Sequence, residues 1–238
     1  MSSPRPRDHG GIDLYWLPLG AGGHSVRLNG RIFEALAARR AHRRRYDLYH
    51  SALVIRAPEG RFVVEMAPVP KGNGAARGVA AEGTVGSRHL EPLRVFRYEV
   101  RRWRDGVIPD IEEAVGGPQR VSGDADVARR ALKLVPDVPT PVWGRDQRHT
   151  GDMWTSNSLT SWLLTRTGID TSAVAPPPNG RAPGWHAGIV VARRDEAGER
   201  PRAVRRGPVR QRRMRGLARS RRTLLTRGTR PRAPTAPR

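Results

Sequence analysis

The sequence predicts an α+β fold: an antiparallel sheet packed with helices, followed by a disordered basic tail. Three observations carry that expectation. The runs "YHSALVI" and "RFVVEMA" are rich in β-branched residues and are separated by "APEG", a hairpin signal that implies antiparallel pairing. The remaining apolar segments do not alternate strand with helix, as a parallel βαβ series would. Beyond Arg194 the large apolar residues thin out and arginine and proline take over, a composition that cannot offset the entropy of ordering.

The chain has 238 residues. Domains usually run to roughly 100–200 residues, so one domain with flanking segments is expected. The divisions read as an N-terminal segment 1–28, an α+β domain 29–194 and a tail 195–238. Within the first, "GAGGHS" has the glycines of a phosphate loop but neither its Lys-Ser/Thr nor a GxGxxG pattern, and reads as a turn. The domain opens on "NGRIFEALAARRAHRRR", where Asn29 is a plausible cap and Ile32, Ala35 and Leu36 share one face; this predicts a helix ending near Arg44. The two hairpin strands follow. A third strand is expected over "LRVFRYEV", Leu93 to Val100. "GDADVARRALKLV" predicts a helix with Val127, Ala131 and Leu134 on one side, stopped by Pro136. "WTSNSLTSWLLTRTG" predicts another, closed by Gly168. "GWHAGIVVARR" is assigned as a last strand.

Charge narrows the partners. The formal net charge is +22, but residues 200–238 hold fifteen arginines and no acid, leaving the rest of the chain at +7. Nucleic-acid binding is therefore an expectation for the tail alone, and it should weaken steeply with salt. With 42 arginines against two lysines, the tail also has the composition of a shifted reading frame in GC-rich coding DNA. There is no cysteine, which excludes disulfides, thiolate metal sites and a cysteine nucleophile. The seven histidines lack metal-site spacing, and no metal or cofactor is expected. No run of eighteen apolar residues and no secretory h-region occurs, so the chain reads as a soluble cytoplasmic protein without a membrane span.

Two places carry candidate chemistry. Ser156 opens an amphipathic helix, where free backbone N–H groups and the positive end of the dipole favour a developing oxyanion. His50 begins the first hairpin strand, and an imidazole there could take a hydroxyl proton. Glu65, on the paired strand, could orient it. The same residues have plainer readings: "TSNS" supplies ordinary helix caps, and a histidine or glutamate beside a strand is commonly structural. Trp143, Trp154, Trp162 and Trp185 could wall a cleft for a peptide or acyl group, or form core.

The order of a strand beginning with His, a paired strand "VVEMA" and a later helix opening "TSNS" resembles the circularly permuted branch of the papain-like NlpC/P60 superfamily, which includes lecithin-retinol-acyltransferase-like proteins. The resemblance spans Tyr49 to Gly168. It implies that His50 stands at the family's base and Ser156 at its cysteine, with Thr155 where Asn is common. A serine hydroxyl cannot be held ionised by a helix terminus as a thiolate can, and needs a placed base at each turnover. The resemblance thus implies either a serine-based amide or ester hydrolase or acyltransferase, or a non-catalytic domain binding a peptide, lipid or protein partner. The two differ in one requirement: only the enzyme needs His50 within hydrogen-bonding reach of Ser156.

Overall fold

The computed structural model describes residues 10–19, 44–69, 77–87 and 96–198, with isolated positions 39, 42, 89 and 93. The helix expected from Asn29, the glycine-rich turn and the tail beyond Gly198 lie outside the described residues. What remains is α+β, with a seven-stranded sheet in the order β4-β5-β3-β2-β1-β6 and the two-residue β7 joined to β2. The strands are β1 (Gly11–Pro18), β2 (Asp47–Ala57), β3 (Gly60–Pro68), β4 (Val79–Thr84), β5 (Arg97–Arg104), β6 (Gln119–Ser122) and β7 (Gly180–Arg181). Every ladder is antiparallel except that of β7 on β2. Three helices follow in the second half: α1 (Ala125–Leu134), α2 (Ser156–Arg166) and α3 (Trp185–Glu196).

The hairpin forms with a tighter turn than its four-residue signal suggests. Ala57 pairs with Gly60, so only Pro58 and Glu59 lie between the strands. Gly60 has φ +132, a backbone state that side chains disfavour. The third strand is displaced toward the C-terminus of its predicted span, and its Tyr98 and Val100 enter the core as the alternation requires.

Four strands were not expected: β1, β4, β6 and the two-residue β7. β1 lies inside the segment set apart as 1–28, yet it pairs along its whole length with β2 and on its other side with β6. Ile12, Leu14 and Leu17 are fully buried. Each such side chain contributes about 1.5–3 kcal/mol relative to exposure, so β1 is integral to the sheet and the compact unit extends well before residue 29. β4 and β6 close the two edges; both are short, with little apolar alternation.

The predicted last strand is a helix. "WHAGIVVARRDE" is α3, and its buried positions Ala187, Gly188, Val191 and Ala192 recur at helical spacing. The β-branched run Ile189 to Val191 resembles a strand locally, but the four-residue repeat of small residues decides the packing. A methyl group on Gly188 would overlap the Ser161 hydroxyl and the Ser158 carbonyl, so α3 lies on α2 at a separation only glycine permits. α1 forms over the predicted segment, capped by Asp124, whose carboxylate accepts from the amides of Asp126 and Val127, but it turns Ala128, Ala131 and Leu132 inward.

The sheet has an inner and an outer face. On the inner face, Ile12, Leu14, Leu53, Ile55, Val64 and Val100 join the buried face of the helices in the main core. On the outer face, Leu17, Ala52, Val54 and Val63 form a second cluster beneath Ile108. Both sides of β2 are therefore apolar, and its register with β1 decides where its histidine points.

Candidate functional site

α2 begins over the start of β2. Its first residues form a capping box: the Thr155 hydroxyl accepts from the Asn157 amide, and the Ser158 hydroxyl accepts from the Thr155 amide. The Asn157 side-chain amide then donates to the carbonyls of Tyr49 and Pro183, each at 2.9 Å. Its oxygen lies 2.8 Å from the Ser51 hydroxyl, which is also 2.9 Å from the Thr160 hydroxyl. Ser51 has one proton, and Asn157 Oδ1 can only accept; the proton goes there, and Thr160 donates back to Ser51. Ser51, Asn157 and Thr160 are 1–2 % exposed, so this network is sealed from water.

The residue of β2 that faces α2 is thus Ser51. The β1–β2 register runs without a shift, pairing Trp16 with Ser51 and Leu17 with His50. Directly paired residues share a face of a sheet, and neighbours along a strand take opposite faces. Trp16 belongs to the main core under the helices and Leu17 to the outer cluster. His50 therefore leaves the sheet on the face turned away from α2. The expected meeting of His50 with Ser156 does not occur, because the imidazole is one residue out of phase.

Ser156 occupies the first turn of α2 and is 3 % exposed. Its hydroxyl makes no hydrogen bond among the described residues. The carboxylate of Asp152, four residues earlier, is committed to the amides of Met153 at 2.8 Å and Gly184 at 2.8 Å. Burial raises its pKa, against hydrogen bonds from those amides and the nearby charges of Arg181 and His186. It is a structural acceptor joining the approach to α2 with the start of α3.

Glu65 does share the outer face with His50, since it neighbours Val63 and Val64 in alternation. It pairs with Arg101 Nη1 at 2.8 Å instead of the imidazole. Arg101 Nε meets Glu99 at 2.9 Å and its Nη2 donates to the Pro68 carbonyl at 3.2 Å, so all three guanidinium nitrogens are engaged. Burial raises the Glu65 pKa despite Arg101, with Glu99 and Asp110 adding repulsion. Burial pushes Glu99 the same way, but it receives two guanidinium groups, Arg77 and Arg101, and these carry it below its ordinary value. Nothing in the local pattern marks Arg101 as the hub; an arginine in a strand ordinarily reads as solvent-facing.

The tryptophans are mainly structural. Trp154 and Trp162 are core residues, each 2 % exposed. Trp143 meets Tyr98 edge-on at 5.6 Å, and Trp185 tilts against Trp16 at 5.1 Å. Among the described residues no group of three or more His, Asp or Glu is placed to hold a metal ion, and no helix is long and apolar enough to cross a membrane. No family model, curated protein or solved structure matches the chain.

Proposed function

We propose that this chain is a non-catalytic domain with a permuted papain-like arrangement, a scaffold that binds a peptide, lipid or protein partner rather than a serine hydrolase or acyltransferase. One observation carries the choice: the residue of β2 that faces the start of α2 is Ser51, hydrogen-bonded to Asn157 and Thr160, while His50 stands on the opposite face. A serine nucleophile without a base in reach stays a neutral hydroxyl, and a helix dipole does not ionise it. What supports the papain-like reading is spatial. The helix opening "TSNS" docks its N-terminus against the first residues of the histidine-bearing strand, with Asn157 reaching the Tyr49 carbonyl. The polar groups at that junction are spent on one another, which converts a reactive position into a fastening.

The expected result is that the purified chain hydrolyses simple p-nitrophenyl esters no faster than its Ser156→Ala and His50→Ala variants, and takes up no fluorophosphonate probe. Labelling at Ser156 that disappears in both variants would replace the scaffold with the hydrolase.

A further inference from the structure

The connection from β5 to β6 has to cross three strands, because the sheet order places β3, β2 and β1 between them. Residues 105–117 make that crossing on the outer face. At one end the Asp105 amide donates to the Arg61 carbonyl at 2.8 Å and Arg61 Nη1 donates to the Gly106 carbonyl at 2.6 Å. At the other the Val115 amide donates to the Trp16 carbonyl at 2.9 Å. Between these anchors Ile108, 2 % exposed, plugs the outer apolar cluster, with Ile111 packed beside it. The rest of the strap is acidic and open: Val107 is 61 % exposed, and Glu112 and Glu113 face solvent.

His50 sits under this strap, paired with Leu17, which packs on Ile108. Asp110 on the strap is the charge that acts on the imidazole, while Glu65 on β3 and Arg101 with Glu99 on β5 share the same outer face of the sheet. The last three are bonded to one another within the sheet, so lifting the strap leaves them intact. Asp110 is the one charge the strap itself brings to the imidazole. The His50 imidazole makes no hydrogen bond among the described residues, so a proton on it would gain no dedicated acceptor when the strap is down.

We infer that residues 105–117 form an acid-released strap, with His50 as the group whose protonation lifts it from the outer face of the sheet. Burial pulls the His50 pKa from its ordinary 6.5 down to about 4, partly opposed by Asp110. The sign follows from linkage. A group with a depressed pKa in the closed state favours closure fully above its free value, and that preference drains away as the pH falls from 6.5 toward 4. With those two values the open population rises about 20-fold between pH 7 and pH 5. Opening uncovers Leu17, Ala52, Val54 and Val63, an apolar strip on an otherwise closed sheet.

Native-state hydrogen exchange on the full chain reads this directly, with rates corrected for intrinsic pH dependence and referenced to the β3 amides. The amides of Gly106, Ile111 and Val115 should exchange about 20-fold faster at pH 5 than at pH 7. His50→Gln, which keeps a neutral polar side chain, should abolish the rise. Asp110→Asn, which removes the carboxylate that favours imidazolium, should leave the rise at about 20-fold over this pH range, because the closed-state imidazole is already almost wholly neutral at pH 5. No rise in the wild type, an equal rise in His50→Gln, or loss of the rise in Asp110→Asn, which would make the carboxylate the titrating group, overturns the proposal.

Discussion

Arg101→Leu is expected to lower the stability of the chain by roughly 3–5 kcal/mol, the cost of leaving buried charges without their partner. Glu65 and Glu99 are 8 % and 3 % exposed, and both are held by this one guanidinium. Glu99 keeps Arg77 at 3.1 Å; Glu65 keeps no other partner among the described residues. The pH dependence gives the result a signature. Losing Arg101 raises the folded-state pKa of Glu65 further above its unfolded value and moves that of Glu99 up from below its own. A raised carboxyl binds its proton more readily in the folded state, so the variant recovers stability as the pH falls toward 4.5, and its defect is greatest at neutral pH. Urea midpoints at pH 7 and pH 5 would show this, and Arg101→Leu combined with Glu65→Gln should restore part of the loss. A defect under about 1 kcal/mol at pH 7 would mean that water reaches the pair and the network is a surface one.

Asn157→Ala is expected to cost roughly 2–3 kcal/mol, more than the ~1 kcal/mol of an ordinary helix cap. The side chain contributes no essential cap of its own, since Thr155 and Ser158 already form the capping box. What the substitution removes is the link between β2 and the Pro183 loop. The Pro183 carbonyl keeps the Thr155 hydroxyl at 2.7 Å, whereas the Ser51 hydroxyl loses its amide partner and keeps only Thr160 at 2.9 Å inside a sealed core. Pairing Asn157→Ala with Ser51→Ala should therefore cost less than the sum of the two singles, because each single already breaks the one hydrogen bond that the two residues share. Strict additivity in that thermodynamic cycle would dissolve the network into independent contacts.

The parts of the fold that the sequence makes plain are those with local punctuation. Pro58 and Gly60 mark the hairpin, Asp124 caps α1, and Thr155 with Ser158 caps α2 before Gly168 ends it. β1 carried its own signal in "GIDLYWLP", where Ile12, Leu14 and Trp16 alternate inward, but Asp13 reads as a solvent residue. It is in fact 4 % exposed and held by Arg56 and Arg120. Those partners lie 43 and 107 positions away, beyond any local pattern. α3 was misread for a different reason: "GIVV" has strand propensity, and only packing against Ser158 and Ser161 of α2 selects the helix.

The site turned on a single residue of phase. In a strand with one wet face, alternating polarity would announce which residues share a side. β2 is apolar on both faces, with Tyr49, Leu53 and Ile55 inward and Ala52 and Val54 outward, so neither set stands out. A slip of one position sends each side chain to the other face, and here it exchanges His50 for Ser51 opposite α2. The helix and strand that the resemblance brings together do lie together; the side chain it assigns as base does not.

A chain without cysteine allows that exchange to be tested by pairwise cross-linking. A disulfide closes only when the Cβ atoms lie about 3.5–4.5 Å apart, or can reach that spacing with small shifts. Two double variants should be compared under mild oxidation, with closure read by intact mass: Ser51→Cys with Thr160→Cys, and His50→Cys with Ser156→Cys. The hydroxyls of Ser51 and Thr160 are 2.9 Å apart across the junction, so the first pair is expected to close in the folded chain. The second pair, on opposite faces of the sheet, is expected to stay reduced until the chain is unfolded. Closure of the His50–Ser156 pair with the Ser51–Thr160 pair left open would contradict the account and return the catalytic reading.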